Sequence, residues 1–423
     1  MSERLVVSGG QALRGSVRIS GAKNSALKLM AASLLAPGRS VIDNVPDIDD
    51  CRTMAEVLSH LGAQVEASEG SVVVDTSDVD RWETPYELVS RMRASIIVLG
   101  PLLARFGRAV VAMPGGCNIG SRNIDLHVKG LERLGVSFES EHGYLRAEAG
   151  ELRGAFVSLD YPSVGATENL LMAAVAARGT TVIENAAREP EIVDLAEMLR
   201  AMGATIEGDG TPTIQIEGTS DAFSPVRHRV VPDRVEAATF AIAACITRGE
   251  VVLEDGRADH LDLPLGKLSE AGATVEPVEG GLRVGAAGRL SAVDFVTLPY
   301  PGLATDIQPI LMALLATAEG TSIITENVFE SRFMFVDELK RMGADIQTEG
   351  HHAVVRGVER LSSAPVQALD LRAGAAMVVA ALSADGDTEI SGMHHVDRGY
   401  EDLEGKLASL GARVRRIPAL SAV

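Results

Sequence analysis

Aromatic residues are scarce in this chain. Nine Phe, five Tyr and one Trp make up 4% of 423 residues, yet 46% of the chain is apolar. A large core is therefore built from aliphatic side chains and alanine, with few rings to fill it. Cysteine is almost absent. Three cysteines cannot all pair, and their spacing fits no zinc motif, so neither a disulfide framework nor a structural metal holds the fold. Cations are in deficit, 39 Lys and Arg against 58 Asp and Glu, a net charge of −19. That excludes nucleic acid as the expected partner, because neutralising a phosphate backbone needs clustered cations. A small anion needs only a few cations focused in one cleft. Long apolar runs are missing too. Stretches such as "IIVLGPLLA" are too short for a membrane span, and "MSERLVVSGG" has no apolar core of a secretory signal. The expected setting is a reduced cytoplasm, with no membrane partner.

What is present is a repeat. "LGAQVE", "LGVSFE", "MGATIE", "AGATVE", "MGADIQ" and "LGARVR" carry Gly62, Gly135, Gly203, Gly272, Gly343 and Gly411, spaced by 73, 68, 69, 71 and 68 residues. Upstream of each lies a second glycine, Gly38, Gly107, Gly179, Gly249, Gly320 or Gly386, that closes an apolar run such as "TFAIAACITRG". Each unit reads as an all-round apolar helix, a glycine, a short strand, an amphipathic helix such as "VDLAEMLRAMG", a glycine and an alternating strand. The apolar helices should be buried, and the glycines should form left-handed helix ends. Six units of about 70 residues suggest two globular halves of three.

The spans between paired glycines are 24, 28, 24, 23, 23 and 25 residues. The second unit is the longest, and its excess falls at "MPGGCNIGSR". Cys117 thus sits in a glycine-rich insertion on a regular scaffold, where function tends to be added. The apolar helices also begin with charge: Lys23, Arg93, Asp233 with Arg234, Asp306, and Asp370 with Arg372. Cations at a helix N-terminus oppose its dipole and make sense around a bound anion. Converging helix mouths would focus that site in one cleft. Cys51 and Cys245 read as small apolar fillers.

"SGAKNSAL", "MRASI", "PGGCNIGSR", "PSVGATEN", "NAAREPEIVD", "PDRVEAATF", "ITENVFESRF" and "HHVDRGYEDL" follow one another along nearly the whole chain. In these the sequence resembles the UDP-N-acetylglucosamine 1-carboxyvinyltransferase family of enolpyruvyl transferases. The resemblance implies an α/β fold, an inside-out α/β barrel of two domains. Each would hold three βαβαββ-like units with buried helices in pseudo-threefold arrangement. It assigns residues 22–231 to one domain, with the Cys117 loop, and 1–21 with 232–423 to the other, the active site lying in the cleft between them.

The reaction implied is transfer of enolpyruvyl from phosphoenolpyruvate to the 3-hydroxyl of UDP-N-acetylglucosamine, with loss of phosphate. This is the first committed step of peptidoglycan synthesis. It needs no metal or organic cofactor. Cys117 matches the family's general acid, which also carries a phospholactoyl adduct and is alkylated by the epoxide fosfomycin. Lys23 matches the lysine on phosphoenolpyruvate, and Asn24 a neighbour touching both substrates. Arg122 and Arg398 resemble the clamps on phosphate and carboxylate. Asp306 matches the carboxylate beside the sugar hydroxyl, and Val328 a backbone contact to the sugar. Arg93 resembles a sugar-nucleotide arginine. Arg122, Asn123, Ile124, Asp125 and Leu126 resemble the uridine loop, and Ser163, Val164 and Gly165 the diphosphate and uridine contact. Arg332 is a further cation for the cleft.

The chain departs from the family at Asn123, where proline is usual. Leu303 and Ala304 replace a Phe-Pro pair, and Tyr161 stands where some members have lysine. These positions surround the nucleotide. They raise a paralogue acting on another uridine nucleotide as the alternative, and a non-catalytic UDP-N-acetylglucosamine sensor is the second. The sequence does not specify an oligomeric state.

Overall fold

The computed structural model describes residues 3–113 and 124–418. Its internal contacts divide these into two units, one of 21–113 with 124–231, the other of 3–20 with 232–418. Each unit has its own aliphatic core.

The fold is α/β with mixed sheets, six in all among the described residues, and one pattern recurs. In the sheet Phe156–Ser158, Thr180–Glu184, Thr213–Glu217, Thr205–Glu207, the first pair is parallel and the other two are antiparallel. The parallel pair brackets the helix Val164–Ala174, as a crossover connection requires. The sheets led by Phe295–Val296 and Val366–Gln367 repeat this around the helices Gln308–Leu315 and Leu371–Ser383. In the three-stranded sheet of Arg108–Ala112, a single parallel bridge from Glu83 to Val110 takes the first strand's place.

Two strands are exchanged along the chain. Arg14–Arg18 precedes the helix Lys23–Ala32 yet pairs with Glu250–Glu254. Arg227–Arg229 precedes the helix Arg234–Ile246 yet pairs with Arg39–Asp43. Glu3–Ser8, in turn, lies between Asp387–Ser391 and Arg413–Pro418.

The apolar runs form the expected helices. All thirteen residues of Arg234–Ile246 and all eight of Gln308–Leu315 are buried. Small residues allow close packing. A Cβ on Gly100, in the helix Leu99–Phe106, would lie 2.5 Å from the Asn169 carbonyl oxygen of the helix Val164–Ala174. Cys51 and Cys245 are buried fillers, and burial pushes the Cys245 thiol up to about 12.

Two details differ from the sequence pattern. Eleven of the twelve repeat glycines have positive φ, but Gly249 does not. There Arg248 takes the left-handed conformation, and Gly249 is required because a Cβ would lie 2.1 Å from the Leu13 carbonyl oxygen. The strands after the second glycine alternate only briefly. Asp345–Glu349 buries Ile346 alone, because all six such strands are sheet edges with one flank in solvent. Among the described residues no helix is long and apolar enough to cross a membrane.

Candidate active site

Cys117, Arg122 and Asn123 lie outside the described residues. The other candidate residues fall in both units.

In the unit of residues 21–231, Lys23 opens its buried helix and points its ammonium at Asp50, 2.7 Å away, with only 11% of the Lys23 side chain exposed. The first turn is anchored from behind. Lys28 Nζ donates to the Asn24 carbonyl at 2.7 Å and lies 3.5 Å from the fully buried Glu168. The Ser25 hydroxyl donates to Asp194, which also meets His228 Nε2 at 2.7 Å and accepts from the Val231 N–H at 3.2 Å. The Val231 carbonyl accepts from the Ala22 N–H, immediately before Lys23, at 2.7 Å. Asp194 thus joins the helix start to the exchanged strand Arg227–Arg229. Burial holds Glu168 up at about 7, against the attraction of Lys28.

Ser163 is the N-cap of the helix Val164–Ala174, accepting from the Ala166 N–H at 3.3 Å. Gly165 has a physical reason to lack a side chain, because a Cβ would lie 3.0 Å from the ring of His127. Asp125 begins the helix Asp125–Arg133, which carries Leu126 and follows Ile124. Lys129 bridges Asp125 and Asp160, each at 3.5 Å. Tyr161 is 40% exposed.

His127 was not marked by the sequence. It is 7% exposed, and its Nδ1 lies 2.9 Å from Asn169 Nδ2. Asn169 is oriented by its other bonds, accepting from Gly100 N–H and donating to the Ile96 carbonyl. The His127 Nδ1 therefore accepts, and the proton sits on Nε2. Burial, aided by the Arg93 charge, lowers the imidazole to about 4 from 6.5. The unfolded chain thus takes up this proton first. The stability gained from a neutral His127 is complete above pH 6.5 and is lost as pH falls toward 4, about 3 kcal/mol over the window. Glu168 and Glu236, both raised to about 7, act with the opposite sign. Comparison with His127→Gln isolates the histidine. Between pH 7 and 4.5 the melting temperature of the variant should fall less, or rise more, than that of wild type. Equal slopes would remove His127 from the linkage.

In the unit of residues 232–418, Asp306 is not the N-cap of the helix that follows it, whose cap position is Ile307. Its carboxylate lies between two buried arginines, 3.2 Å from Arg372 Nη2 and 3.5 Å from Arg332 Nη2. Arg332 also donates to the Thr305 carbonyl at 3.1 and 3.2 Å and lies 3.8 Å from Asp370. Asp370 and Asp233 are N-caps, accepting from the N–H groups of the next two helical residues but one. Burial works against the Arg372 charge, but Asp306, Tyr400 and Asp233 outweigh it and raise the guanidinium further. Arg372 also lies over the Tyr400 ring at 5.6 Å.

Val328 follows Glu326, whose carboxylate accepts the Val328 N–H at 2.8 Å. Arg398 ends the short helix His394–Asp397, and its charge reaches His395. The neighbouring Asp397 binds Arg416 Nη1 at 3.0 Å. Asp50, Asp194 and Glu326 were missed as site-supporting residues, and no signal in the sequence marked them. Arg372 was marked only by its charge at the start of an apolar helix. Among the described residues no group of three His, Cys, Asp or Glu could hold a metal ion.

The family model described as EPSP synthase (3-phosphoshikimate 1-carboxyvinyltransferase) matches residues 7–407. UDP-N-acetylglucosamine 1-carboxyvinyltransferase 2 of Carboxydothermus hydrogenoformans is 54% identical over 98% of this chain and 99% of its own. The UDP-N-acetylglucosamine 1-carboxyvinyltransferase of Corynebacterium jeikeium is 54% identical over 99% and 100%. Among solved structures, the enolpyruvyl transferase NikO from Streptomyces tendae superposes with a TM-score of 0.89 at 29% identity, covering 98% of this chain and 99% of that one. EPSP synthase from Acinetobacter baumannii shares the fold, with a TM-score of 0.77 at 20% identity over 99% and 100%. With the repeat, the ordered motifs and these full-length likenesses together, the chain belongs to the enolpyruvyl transferases, in the UDP-N-acetylglucosamine 1-carboxyvinyltransferase family.

Proposed function

We propose that the chain transfers the enolpyruvyl group of phosphoenolpyruvate to the 3-hydroxyl of UDP-N-acetylglucosamine. The sugar oxygen bonds to C2 of phosphoenolpyruvate while C3 gains a proton, giving a tetrahedral phospholactoyl ketal. The C2–O bond to phosphate then breaks and C3 gives up a proton, leaving the enol ether and inorganic phosphate. Cys117 delivers the proton to C3, and Asp306 orients or deprotonates the sugar hydroxyl. Lys23, Arg122 and Arg398 hold the phosphate and carboxylate, with Asn24 touching both substrates. Arg93, the 122–126 segment, 163–165 and Val328 bind the sugar nucleotide. The reading gives roles to residues of both units. It goes with a barrel of inward-facing helices in each, a cytoplasmic location, and no metal or organic cofactor.

The observation that carries it is the Asp306 carboxylate at the start of a buried helix, fixed by two buried arginines where an ordinary cap would face its own backbone. The deciding experiment is phosphate release from phosphoenolpyruvate with UDP-N-acetylglucosamine or UMP as acceptor. Release with the sugar nucleotide supports the reading. Release with UMP alone would transfer the chain to a different substrate, and binding without release would make it a sensor.

Lys23 gives a further test. Lys23→Ala removes a cation from the anion site and leaves Asp50, whose side chain is 4% exposed, without that partner. Phosphoenolpyruvate binding should weaken by about 1.5–3 kcal/mol, the scale of a charge-assisted hydrogen bond. Arg398→Ala should do the same. Calorimetric affinities equal to wild type in both variants would refute the anion assignment.

A further inference from the structure

Glu326 directly follows the strand Thr321–Thr325 and is 2% exposed. Its carboxylate makes four contacts, and in every one it accepts. Oε1 takes the Thr297 hydroxyl at 2.9 Å, the Val328 N–H at 2.8 Å and the Phe329 N–H at 3.1 Å. Oε2 takes the Thr305 hydroxyl at 3.0 Å. Thr297 is committed as well, because its oxygen accepts the Asn327 N–H at 2.9 Å. Its hydroxyl proton is therefore directed at Glu326. One buried acid thus joins three segments: the end of Phe295–Val296, the 305–306 turn and the 327–329 turn.

The neighbouring geometry gives this a consequence. Thr305 is gripped twice, at its hydroxyl by Glu326 and at its carbonyl by Arg332. The next residue is Asp306, whose carboxylate lies between Arg332 and Arg372. Arg332 holds the backbone that delivers this carboxylate by the Thr305 carbonyl. Glu326 holds the same residue by its hydroxyl, and the same carboxylate sets the Val328 amide. We propose that Glu326 is a positioning residue that fixes the Asp306 carboxylate and the Val328 backbone relative to each other, and so governs use of the sugar-nucleotide acceptor.

The inference rests on the proposed acceptor reaction. It predicts a separation of effects between the two substrates. Glu326→Gln has the same shape but turns an NH2 group toward hydrogen-bond donors. It should lower kcat about 10- to 100-fold and raise the KM for UDP-N-acetylglucosamine, with the KM for phosphoenolpyruvate within twofold of wild type. Thr305→Val keeps the fold and removes one of the four bonds, so it should show a milder defect of the same kind. The double variant should be no worse than Glu326→Gln alone, since Thr305 acts through its bond to Glu326. Steady-state phosphate release with each substrate varied reads all of this. A lowered melting temperature with wild-type KM and kcat per folded molecule overturns the positioning role, as do both single variants within twofold of wild type for the sugar nucleotide. A wild-type chain that releases no phosphate overturns the acceptor reading, and this inference with it.

Discussion

Asp306→Asn is expected to lower phosphate release by about 10²- to 10⁴-fold, the range general acid–base groups contribute. The substitution keeps the shape of the side chain and deletes the charge that Arg372 and Arg332 converge on. Two consequences are separable. The chemical one follows from losing a group able to accept or orient the sugar hydroxyl proton. The structural one follows from leaving two buried guanidiniums with less compensation. Breaking a buried pair costs about 3–5 kcal/mol. Asp306 is 28% exposed, so solvent screens part of that, and about 1–3 kcal/mol is expected. Melting curves read the second effect and single-turnover phosphate release the first. A folded Asp306→Asn protein with turnover within fivefold of wild type would dismiss Asp306 as a participant.

The second large effect is at Cys117. A general acid needs an exchangeable proton with a pKa near the working pH. Alanine has none, so Cys117→Ala should lose most turnover while melting like wild type. Aspartate offers a proton at similar reach and a lower intrinsic pKa. Cys117→Asp should therefore keep turnover, with the alkaline limb of its pH profile moved to lower pH. It should also resist fosfomycin, since no thiolate remains to attack the epoxide. Wild-type turnover in Cys117→Ala would take the thiol out of the mechanism. Epoxide inactivation of Cys117→Asp would place the reactive group elsewhere.

The repeat was legible because it is local and periodic. Apolar helices end near glycines, and the same pattern recurs at each turn of the chain. The exchange of Arg14–Arg18 and Arg227–Arg229 was not legible in the pattern. Each strand resembles its counterparts, and nothing within it says which distant partner it will meet. Only the resemblance anticipated a crossover near these points. The site divides the same way. Lys23 and Asp306 stand out because a charge at the mouth of an apolar helix is anomalous. Glu326 and Asp194 do not, because acids beside a strand end or on an amphipathic helix are common. Their roles come from convergence: Asp194 meets Ser25, His228 and Val231 only once the helix start and the exchanged strand are folded together. Gly249 carries the same lesson at smaller scale. The glycine pattern marked the position, while the reason, an approach to the Leu13 carbonyl, lies more than two hundred residues away.

The placement of Glu3–Ser8 has a consequence for how the protein comes into being. This strand is the third of its sheet, and both neighbours, Asp387–Ser391 and Arg413–Pro418, are made last. At roughly 5–20 residues per second on the ribosome, it waits about 20–80 s for them. The unit of residues 21–231 has no such dependence, since its own last strand is Arg227–Arg229. It can close while the remainder is still being translated. The nascent chain therefore carries a finished inner unit and an apolar strand, Leu5, Val6 and Val7, with neither edge covered. That interval is when the strand is open to chaperones or to pairing with another chain, and slowing translation beyond residue 231 would lengthen it.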